Sequence, residues 1–385
     1  MSALNITRVS GVMVGPTFIT NVPVILTRLT EAWSQDLSGK LYRFGVDVPR
    51  QTNRGRQISG AATRLHGMAR EIISSWPATI TTLADEGFFG PFRVASTGAT
   101  WHRGTVRTAI TSGTPYYQRV RVRRGSSNKI YIELRNDTGG TSSVIMGSFD
   151  APTITSVAAG PITALVNRLV SPNVREFTFT WVPNFTSDAT NTLGVGPNSI
   201  VTGEYIDVLG MQVASSFTDW IMGGAGTKAI AADIMSLNLT GLDMTAGFML
   251  RMDGIVDATP RVGFDRFYQA DDGVADNRSD TAISSFNANI RAFQLISNVV
   301  QGDVVLASAI TPPVAFSLVG AHGVNYTGGA FGGSVATPDT VAGFVTPNRL
   351  FIGSNGASGN LPMTLTAIRL VPGAPTTALV TGLAA

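Results

Sequence analysis

A two-residue alternation of polar and apolar side chains constrains the fold of this chain more than any other feature. In residues 118–123, Gln-Arg-Val-Arg-Val-Arg, the valines fall on one face of an extended segment and the arginines on the other. Residues 129–135 and 175–181 repeat the pattern. Successive side chains of a strand point to opposite faces, so this period predicts half-buried antiparallel strands. Helical periodicity is limited to two short stretches, 24–33 and 69–76, where we expect short helices.

The composition fits many short strands joined by tight turns. Glycine contributes 42 of the 385 residues, and glycine readily adopts the positive-φ positions of hairpin turns. Turn signals such as Gly-Ser-Ser-Asn at 125–128 recur at the spacing expected of β-sandwiches. The chain has no cysteine, which excludes disulfides and thiolate metal sites. The sequence therefore predicts an all-β protein, and its length allows two or three domains.

Charge and hydropathy argue against several classes of partner. The formal net charge is only +3, so we expect no nucleic-acid partner. The most apolar later stretch, 299–319, is interrupted by Gln301, Asp303 and a Pro-Pro pair, which makes it too broken for a membrane-spanning helix. The first residues lack the basic and apolar regions of a signal peptide. We therefore expect synthesis in the cytosol without an export signal, and no insertion into a membrane.

Several segments, in their order along the chain, carry a resemblance to known proteins. Residues 41–65, with their Pro-Arg and Arg-Gly pairs, resemble a passage near the start of many phage and prophage tail-fibre or spike proteins. Residues 203–213 look like the last strand of a carbohydrate-binding jelly roll. Residues 216–233 are similar to the connector that joins such a jelly roll to a concanavalin-like lectin domain in phage fibres. Residues 349–354 and 365–370 are similar to the closing strands of laminin-G or pentraxin-like sandwiches.

The resemblance implies two consecutive antiparallel β-sandwiches after a short leader. It implies an attachment or oligomerisation segment at 1–59, a jelly roll of the carbohydrate-binding-module type at 60–215, and a concanavalin-like or laminin-G-like sandwich at 216–385.

The resemblance also implies a function. It indicates a receptor-binding protein of a phage, or of a phage-like gene-transfer particle, that is assembled in the host cytoplasm and exposed on the virion. Such a protein binds host surface polysaccharide without catalysis and contacts other virion proteins through its N-terminal segment. It is expected to form a homo-oligomer, with a trimer favoured. Two alternatives stay open: a purely structural decoration or fibre protein, and a capsule depolymerase.

Three arginines of the alternating segment 118–123 form the first candidate glycan site. Arg119, Arg121 and Arg123 project from one face of a strand at intervals of ~7 Å, two strand residues each. Guanidinium groups bind carboxylates and sulfates, so this arginine ladder is a candidate for binding an acidic polysaccharide. The alternatives are a solvated face and a subunit interface opposite acids of a neighbouring chain.

Aromatic side chains flanked by polar groups are the second kind of candidate, because a sugar ring presents an apolar face and a hydroxyl rim. Trp101 and Arg103 form such a cluster just ahead of a strand, and packing is the alternative role of the tryptophan. Tyr268 and Asn277 belong to a polar segment and are glycan-binding candidates as well.

The same polar segment carries closely spaced carboxylates at Asp271, Asp272 and Asp276. Calcium takes six to eight oxygen ligands, so this loop is a candidate calcium site. The alternative is an exposed loop tip. We expect no other cofactor.

The sequence offers little support for catalysis. The three histidines lack the companions of a zinc motif, and no Gly-x-Ser-x-Gly elbow occurs. A glycosidase pair assembled in space from Glu204, Asp207 or Asp265 stays open, because such pairs need not be close in sequence. We expect the protein not to be an enzyme.

Overall fold

The structure is a computed structural model of the chain. It describes residues 4–7, 13–14, 24–27, 30, 32–35, 41–44, 51–52, 55–58, 62–65, 74–76, 78–84, 91–98, 103–217, 220–221, 228–258, 263–274, 276–341, 343–356 and 361–385. Within these residues the ordered elements are 32 strands and one short helix, so the all-β prediction is confirmed.

The strands before residue 100 are β1 (Leu4–Thr7), β2 (Met13–Val14), β3 (Val24–Thr27), β4 (Ala32–Gln35), β5 (Leu41–Phe44), β6 (Gln51–Thr52), β7 (Gly55–Ile58), β8 (Ala62–Arg64), β9 (Ser74–Trp76), β10 (Ala78–Thr82) and β11 (Phe92–Ser96). The middle of the chain forms β12 (Arg103–Ile110), β13 (Tyr116–Arg124), β14 (Lys129–Asn136), β15 (Thr141–Ser148), β16 (Ala151–Val157), β17 (Ile162–Ser171), β18 (Val174–Trp181), β19 (Ser187–Pro197), β20 (Tyr205–Ala214) and β21 (Lys228–Ile230). The remaining elements are β22 (Ile234–Asn238), β23 (Gly247–Val256), β24 (Phe264–Asp271), β25 (Arg278–Ser284), β26 (Ile290–Ile296), β27 (Val299–Ala307), β28 (Val314–Gly323), β29 (Tyr326–Phe331), β30 (Ser334–Val335), β31 (Arg349–Ile352), β32 (Met363–Pro372) and α1 (Thr377–Ala384).

One compact unit, here called the first sandwich, comprises residues 35–43 and 61–230. Its eight-stranded sheet runs β10-β11-β20-β13-β18-β17 and is extended by β8 and β21, and its six-stranded sheet runs β16-β15-β14-β19-β12-β9. The pairings are antiparallel, and strands distant in sequence lie side by side, as in jelly rolls. The chain crosses repeatedly between the two sheets.

The alternation seen in the sequence builds the core of the first sandwich. Val120 and Val122 of β13 and Ile130 and Ile132 of β14 are fully buried and belong to one apolar cluster drawn from both sheets. Trp181 at the end of β18 is also fully buried in this cluster. Burying one such aliphatic side chain stabilises a fold by roughly 1.5–3 kcal/mol, so the alternating strands fix which face of each sheet is internal.

The other compact unit, here called the second sandwich, comprises residues 1–34, 44–60 and 231–385. Its seven-stranded sheet runs β27-β26-β25-β24-β31-β22-β3, and its nine-stranded sheet runs β2-β1-β32-β23-β28-β29-β30 with β6 and β7 beside it. The two sheets share one large apolar core. The helix α1 packs on the outer face of the nine-stranded sheet, where Val380 and Leu383 meet Met249 and Val319.

Strands near the start of the chain complete the sheets of the second sandwich. β1 and β7 pair with β32, and β3 pairs with β22. The first sandwich therefore stands, in sequence, between pieces of the second. The interpretation of residues 1–59 as an attachment segment stays a prediction, now alongside a structural role in these sheets.

The two helical predictions are wrong where the structure describes them. Residues 24–27 and 32–35 form β3 and β4, and residues 74–76 form β9. Pairing with β22 places β3 in a sheet, and tertiary pairing of this kind overrides a weak local preference for helix. Among the described residues, no helix combines the length and apolar character that crossing a membrane requires.

Candidate functional site

The arginine ladder lies on the outer face of the eight-stranded sheet but is not exposed. Arg119 and Arg121 are only 5% and 2% exposed. Glu176 of β18 lies directly opposite Arg121 and accepts hydrogen bonds from Arg119 Nη1 at 2.8 Å and Arg121 Nη2 at 2.6 Å. Arg168 of β17 adds a third contact to the same carboxylate at 3.2 Å. One buried glutamate thus compensates the charges of the ladder inside the protein.

A short segment after β20 covers this cluster. The indole Nε1 of Trp220 donates a 2.9 Å hydrogen bond to Glu176, and both guanidinium groups lie 5.8 Å from the indole ring. The backbone N–H of Ile221 donates to the side chain of Gln212 at 2.7 Å and holds the segment down. The expectation of an exposed ladder is therefore wrong at Arg119 and Arg121, because this segment buries them. Their glycan binding stays a prediction without an exposed cation to carry it.

Arg123, the third member of the ladder, is partly exposed and bound to a different carboxylate. Its Nη2 lies 3.1 Å from Asp207 Oδ2, and Arg93 Nε lies 2.8 Å from Asp207 Oδ1. The hydrogen bond to Asp207 raises the pKa of Arg93, whose guanidinium group stacks 3.5 Å from the centre of the Tyr205 ring. Asp207 therefore serves two arginines, which leaves it poorly placed to act as a glycosidase carboxylate.

Arg103 is buried on the outer face of the six-stranded sheet, while Trp101 lies outside the described residues. Arg103 forms an ion pair with Glu133 of β14. The two strands are bridged by β19, where a Cβ atom on Gly194 would lie 2.6 Å from Arg103 Cδ, so the glycine makes room for the arginine. Burial lowers the pKa of Arg103 and raises the pKa of neighbouring Tyr131. The sugar-binding role of Trp101 and Arg103 stays a prediction.

Tyr268 lies inside the second sandwich rather than in a loop. A β-bulge in β24 shifts the register after Arg266, so that both Phe267 and Tyr268 are fully buried in the core. The phenol bonds to His322 Nε2 at 2.8 Å, and burial lowers the pKa of His322 to about 3 and raises the pKa of Tyr268. A Cβ atom at Gly320 would overlap the phenol oxygen. Tyr268 is a core residue, so its expected exposure to a glycan is wrong.

The acidic loop after β24 is organised by its own hydrogen bonds. Asp271 is buried and accepts from Gln269 Nε2 at 2.8 Å and from Arg349. Asn277 donates to Asp272 Oδ2 at 3.0 Å, and Asp276 is exposed. Among the described residues, no group of three or more His, Cys, Asp or Glu side chains is placed to hold a metal ion. The calcium site therefore stays a prediction.

A cleft on the outer face of the seven-stranded sheet combines aromatic and cationic side chains. It has a volume of about 200 Å³ and is here called the arginine cleft. The lining residues come from four neighbouring strands and are Phe264, Arg266, Arg278, Arg291, Phe293, Leu295, Val300 and Asp303. The rings of Phe264 and Phe293 lie 5.8 Å apart at 56°. Such a surface offers an apolar platform beside several guanidinium donors.

A buried carboxyl group supports the floor of the arginine cleft. Asp280 is fully buried, and its Oδ2 accepts from Arg278 Nε at 2.9 Å and from Arg266 Nε at 3.3 Å. Burial raises the pKa of Asp280, while the two arginines oppose that shift. On the opposite side, Arg291 forms a bidentate pair with Asp303, with 2.9 Å between Arg291 Nε and Asp303 Oδ1.

Sequence reasoning missed this cleft, although a signal was present. Arg291, Phe293 and Leu295 alternate along β26, and Arg278 and Asp280 alternate along β25. The register that sets Asp280 opposite Phe293, and Phe293 opposite Asp303, is fixed by pairings that no local pattern reveals.

Comparison with known proteins gives one distant likeness. No family model and no curated protein matches the chain. The fold is similar to the Trypanosoma rangeli sialidase in complex with the inhibitor DANA, at 9% sequence identity and a TM-score of 0.26. The match covers 80% of this chain and 62% of the sialidase chain, so this protein spans less than two thirds of that neighbour. A TM-score this low supports no argument about function.

Proposed function

We propose that the protein is an adhesin of a phage or phage-like gene-transfer particle, carried on the virion, that binds host surface polysaccharide without catalysis. The arginine cleft is the observation that carries the proposal. The segments resembling tail-fibre and spike proteins supply the expectation of a virion location, of other virion proteins as partners and of a homo-oligomer. The two consecutive β-sandwiches agree with that expectation.

The chemistry of the cleft matches a saccharide better than other ligand classes. Phe264 and Phe293 present ring faces against which the C–H face of a sugar packs, and three arginines offer donors to its oxygen atoms. A shallow cleft of this size binds a single site weakly. Several copies on one particle raise the overall affinity by ~10²–10⁴, which is the usual basis of adhesion.

A glycan array tests the proposal directly. The purified protein, presented as multivalent copies on beads, should bind a restricted set of bacterial surface polysaccharides. The Phe293→Ala variant should lose that signal, whereas Phe286→Ala, at a phenylalanine that is 85% exposed in the same sandwich, should keep it. A protein that merely decorates or builds the particle would give no specific signal at any density, and that result would contradict the adhesin.

Capsule depolymerase is the enzymatic alternative, and the carboxyl groups of the cleft speak against it. A glycosidase needs two carboxyl groups flanking the scissile bond. Asp280 lies beneath Arg266 and Arg278 and does not line the cleft, which leaves Asp303 as the lining acid. Incubation with host capsule should therefore release no new reducing ends. Their appearance, together with loss in Asp303→Asn, would establish hydrolysis instead.

A further inference from the structure

We propose that the arginine cleft is a subsite for one sugar unit that carries a single negative charge, as a carboxylate or a sulfate ester. This inference rests on the proposed function and names the ligand class of that site. It is independent of the arginine ladder, of the acidic loop and of Trp101.

The charge of the cleft calls for an anion. Arg266, Arg278 and Arg291 line it, against one lining acid, Asp303, and one acid beneath the floor, Asp280. Three guanidinium groups and two carboxyl groups leave a net positive charge whichever way Asp280 is ionised. A ligand with one negative charge compensates it, and the planar guanidinium fork binds a carboxylate through two parallel hydrogen bonds.

Two of the three arginines are already held in place. The side chains of Arg266 and Arg278 are 12% and 17% exposed, and both are fixed by the same oxygen of Asp280. Ordering a long side chain on binding costs about 0.5–1.5 kcal/mol, a penalty that this support reduces. The exposed edges of these two groups therefore form a preorganised floor for an anion.

The third arginine is adjustable. Arg291 and Asp303 are about one-third exposed, and an exposed ion pair of this kind is weak. A ligand anion can take the place of Asp303 on Arg291 at little cost in free energy. Arg291 thus acts as the arm of the cleft that meets the ligand, opposite the fixed floor.

The apolar side of the cleft sets the size of the ligand. Phe264, Phe293, Leu295 and Val300 provide its non-polar lining. At about 200 Å³ the cleft is smaller than the roughly 300–1,000 Å³ of pockets for drug-sized ligands. One pyranose ring on the phenyl groups, with its charged substituent toward the arginines, fits this arrangement.

The test uses three defined probes: methyl glucuronoside, methyl glucoside 6-sulfate and uncharged methyl glucoside. Titration of the full-length protein, followed by calorimetry or ligand NMR, should give a Kd about tenfold lower for either charged probe than for the neutral one. The advantage should shrink as salt is raised, because screening weakens exposed charge pairs. The ranking of the two charged probes identifies the preferred anion.

Variants of one arginine localise the effect. Arg291→Ala should abolish the preference for charged probes, and Arg291→Lys, which keeps the charge but not the fork, should retain part of it. Arg369→Ala is the matched control, because Arg369 is an exposed arginine on the nine-stranded sheet of the same sandwich. It should bind all three probes as the wild type does, and equal melting temperatures would show that each variant is folded.

Equal affinity for the charged and neutral probes, or equal behaviour of Arg291→Ala and Arg369→Ala, would overturn the inference. The array separates this failure from failure of the proposed function. Binding to neutral polysaccharides alone would leave the adhesin intact and remove the anionic subsite. Absence of any glycan signal would remove both.

Discussion

Each sandwich carries a pair of arginines bound to one buried carboxyl group on the outer face of a sheet, and the two clusters differ in what covers them. In the first sandwich, Arg119 and Arg121 share Glu176, and Trp220 closes over them. In the second, Arg266 and Arg278 share Asp280, and a cleft lies above them. The same local chemistry therefore serves two purposes. Covered by the chain, it anchors a segment; left facing a cleft, it is available to a ligand.

The difference teaches that a run of arginines is a poor guide to a binding site by itself. The ladder of β13 is conspicuous in the sequence, yet its first two members are satisfied internally. The arginines of the cleft are dispersed over three strands and become neighbours only in the folded sheet.

The largest expected effect comes from removing the covered carboxylate. Glu176→Gln leaves Arg119 and Arg121 buried without their anion, and breaking a buried pair in this way destabilises a protein by about 3–5 kcal/mol. Urea unfolding followed by tryptophan fluorescence, which includes buried Trp181 of the first sandwich, measures the loss. Asp137→Asn, at an exposed acid paired with Arg135, should cost less than ~1 kcal/mol. Similar losses in the two variants would contradict the contrast between covered and exposed charges.

A buried histidine should make the second sandwich sensitive to acid. Burial holds the folded pKa of His322 at about 3, below the ordinary value of 6.5, so below pH 6.5 the unfolded state binds a proton that the folded state does not. The free energy of unfolding should therefore fall as pH falls, by about 2–3 kcal/mol between pH 7.5 and 4.5. Wild type and His322→Gln, compared by urea unfolding at both pH values, isolate this contribution. A pH dependence unchanged in the variant would show that the histidine is not responsible.

A smaller effect is expected from the lid of the covered cluster. Trp220→Phe keeps the aromatic ring above the arginines but removes the N–H that Glu176 accepts. A hydrogen bond to a charged group contributes about 1.5–3 kcal/mol, so the first sandwich should lose stability within that range. Hydrogen exchange of residues 212–217 should accelerate in the variant and stay unchanged in Trp220-intact Phe286→Ala. No change in Trp220→Phe would mean that ring packing alone holds the segment.

The smallest expected effect on stability lies at the open cluster. Asp303→Asn removes an exposed partner of Arg291, which should change the free energy of unfolding by less than ~1 kcal/mol. The same change removes a competing negative charge from the cleft. The affinity for methyl glucuronoside should therefore rise, by about threefold, while that for methyl glucoside stays constant. Weaker binding of the glucuronoside would show that Asp303 itself holds the sugar.

The sequence predicts much of the fold and little of the site, for a physical reason. Val120 and Val122 are buried as their alternation requires, because the period of a strand decides which side chains share a face. The same reasoning places Arg119 and Arg121 on the opposite face but does not reveal Trp220 above them. That contact joins a strand to a segment about 100 residues later, and no local pattern encodes it.

Tyr268 shows the second kind of limit. Its position in a polar, acidic segment favours exposure, but one extra residue in β24 turns it into the core. A bulge of this sort reverses the face of every residue beyond it, so a single irregularity defeats an argument from alternation. The arginine cleft escaped detection because its residues meet only through the register of four strands.

The pairing of β1, β3 and β7 with β22 and β32 has a consequence for biosynthesis. These early strands leave the ribosome long before their neighbours exist, so the intervening sandwich can fold first while they wait as unpaired edges. Unpaired edges are prone to pair with other chains, and the closing of so long a loop is slow. Synthesis of this protein at high concentration should therefore benefit from chaperones until residue 372 has emerged and the last sheet can close.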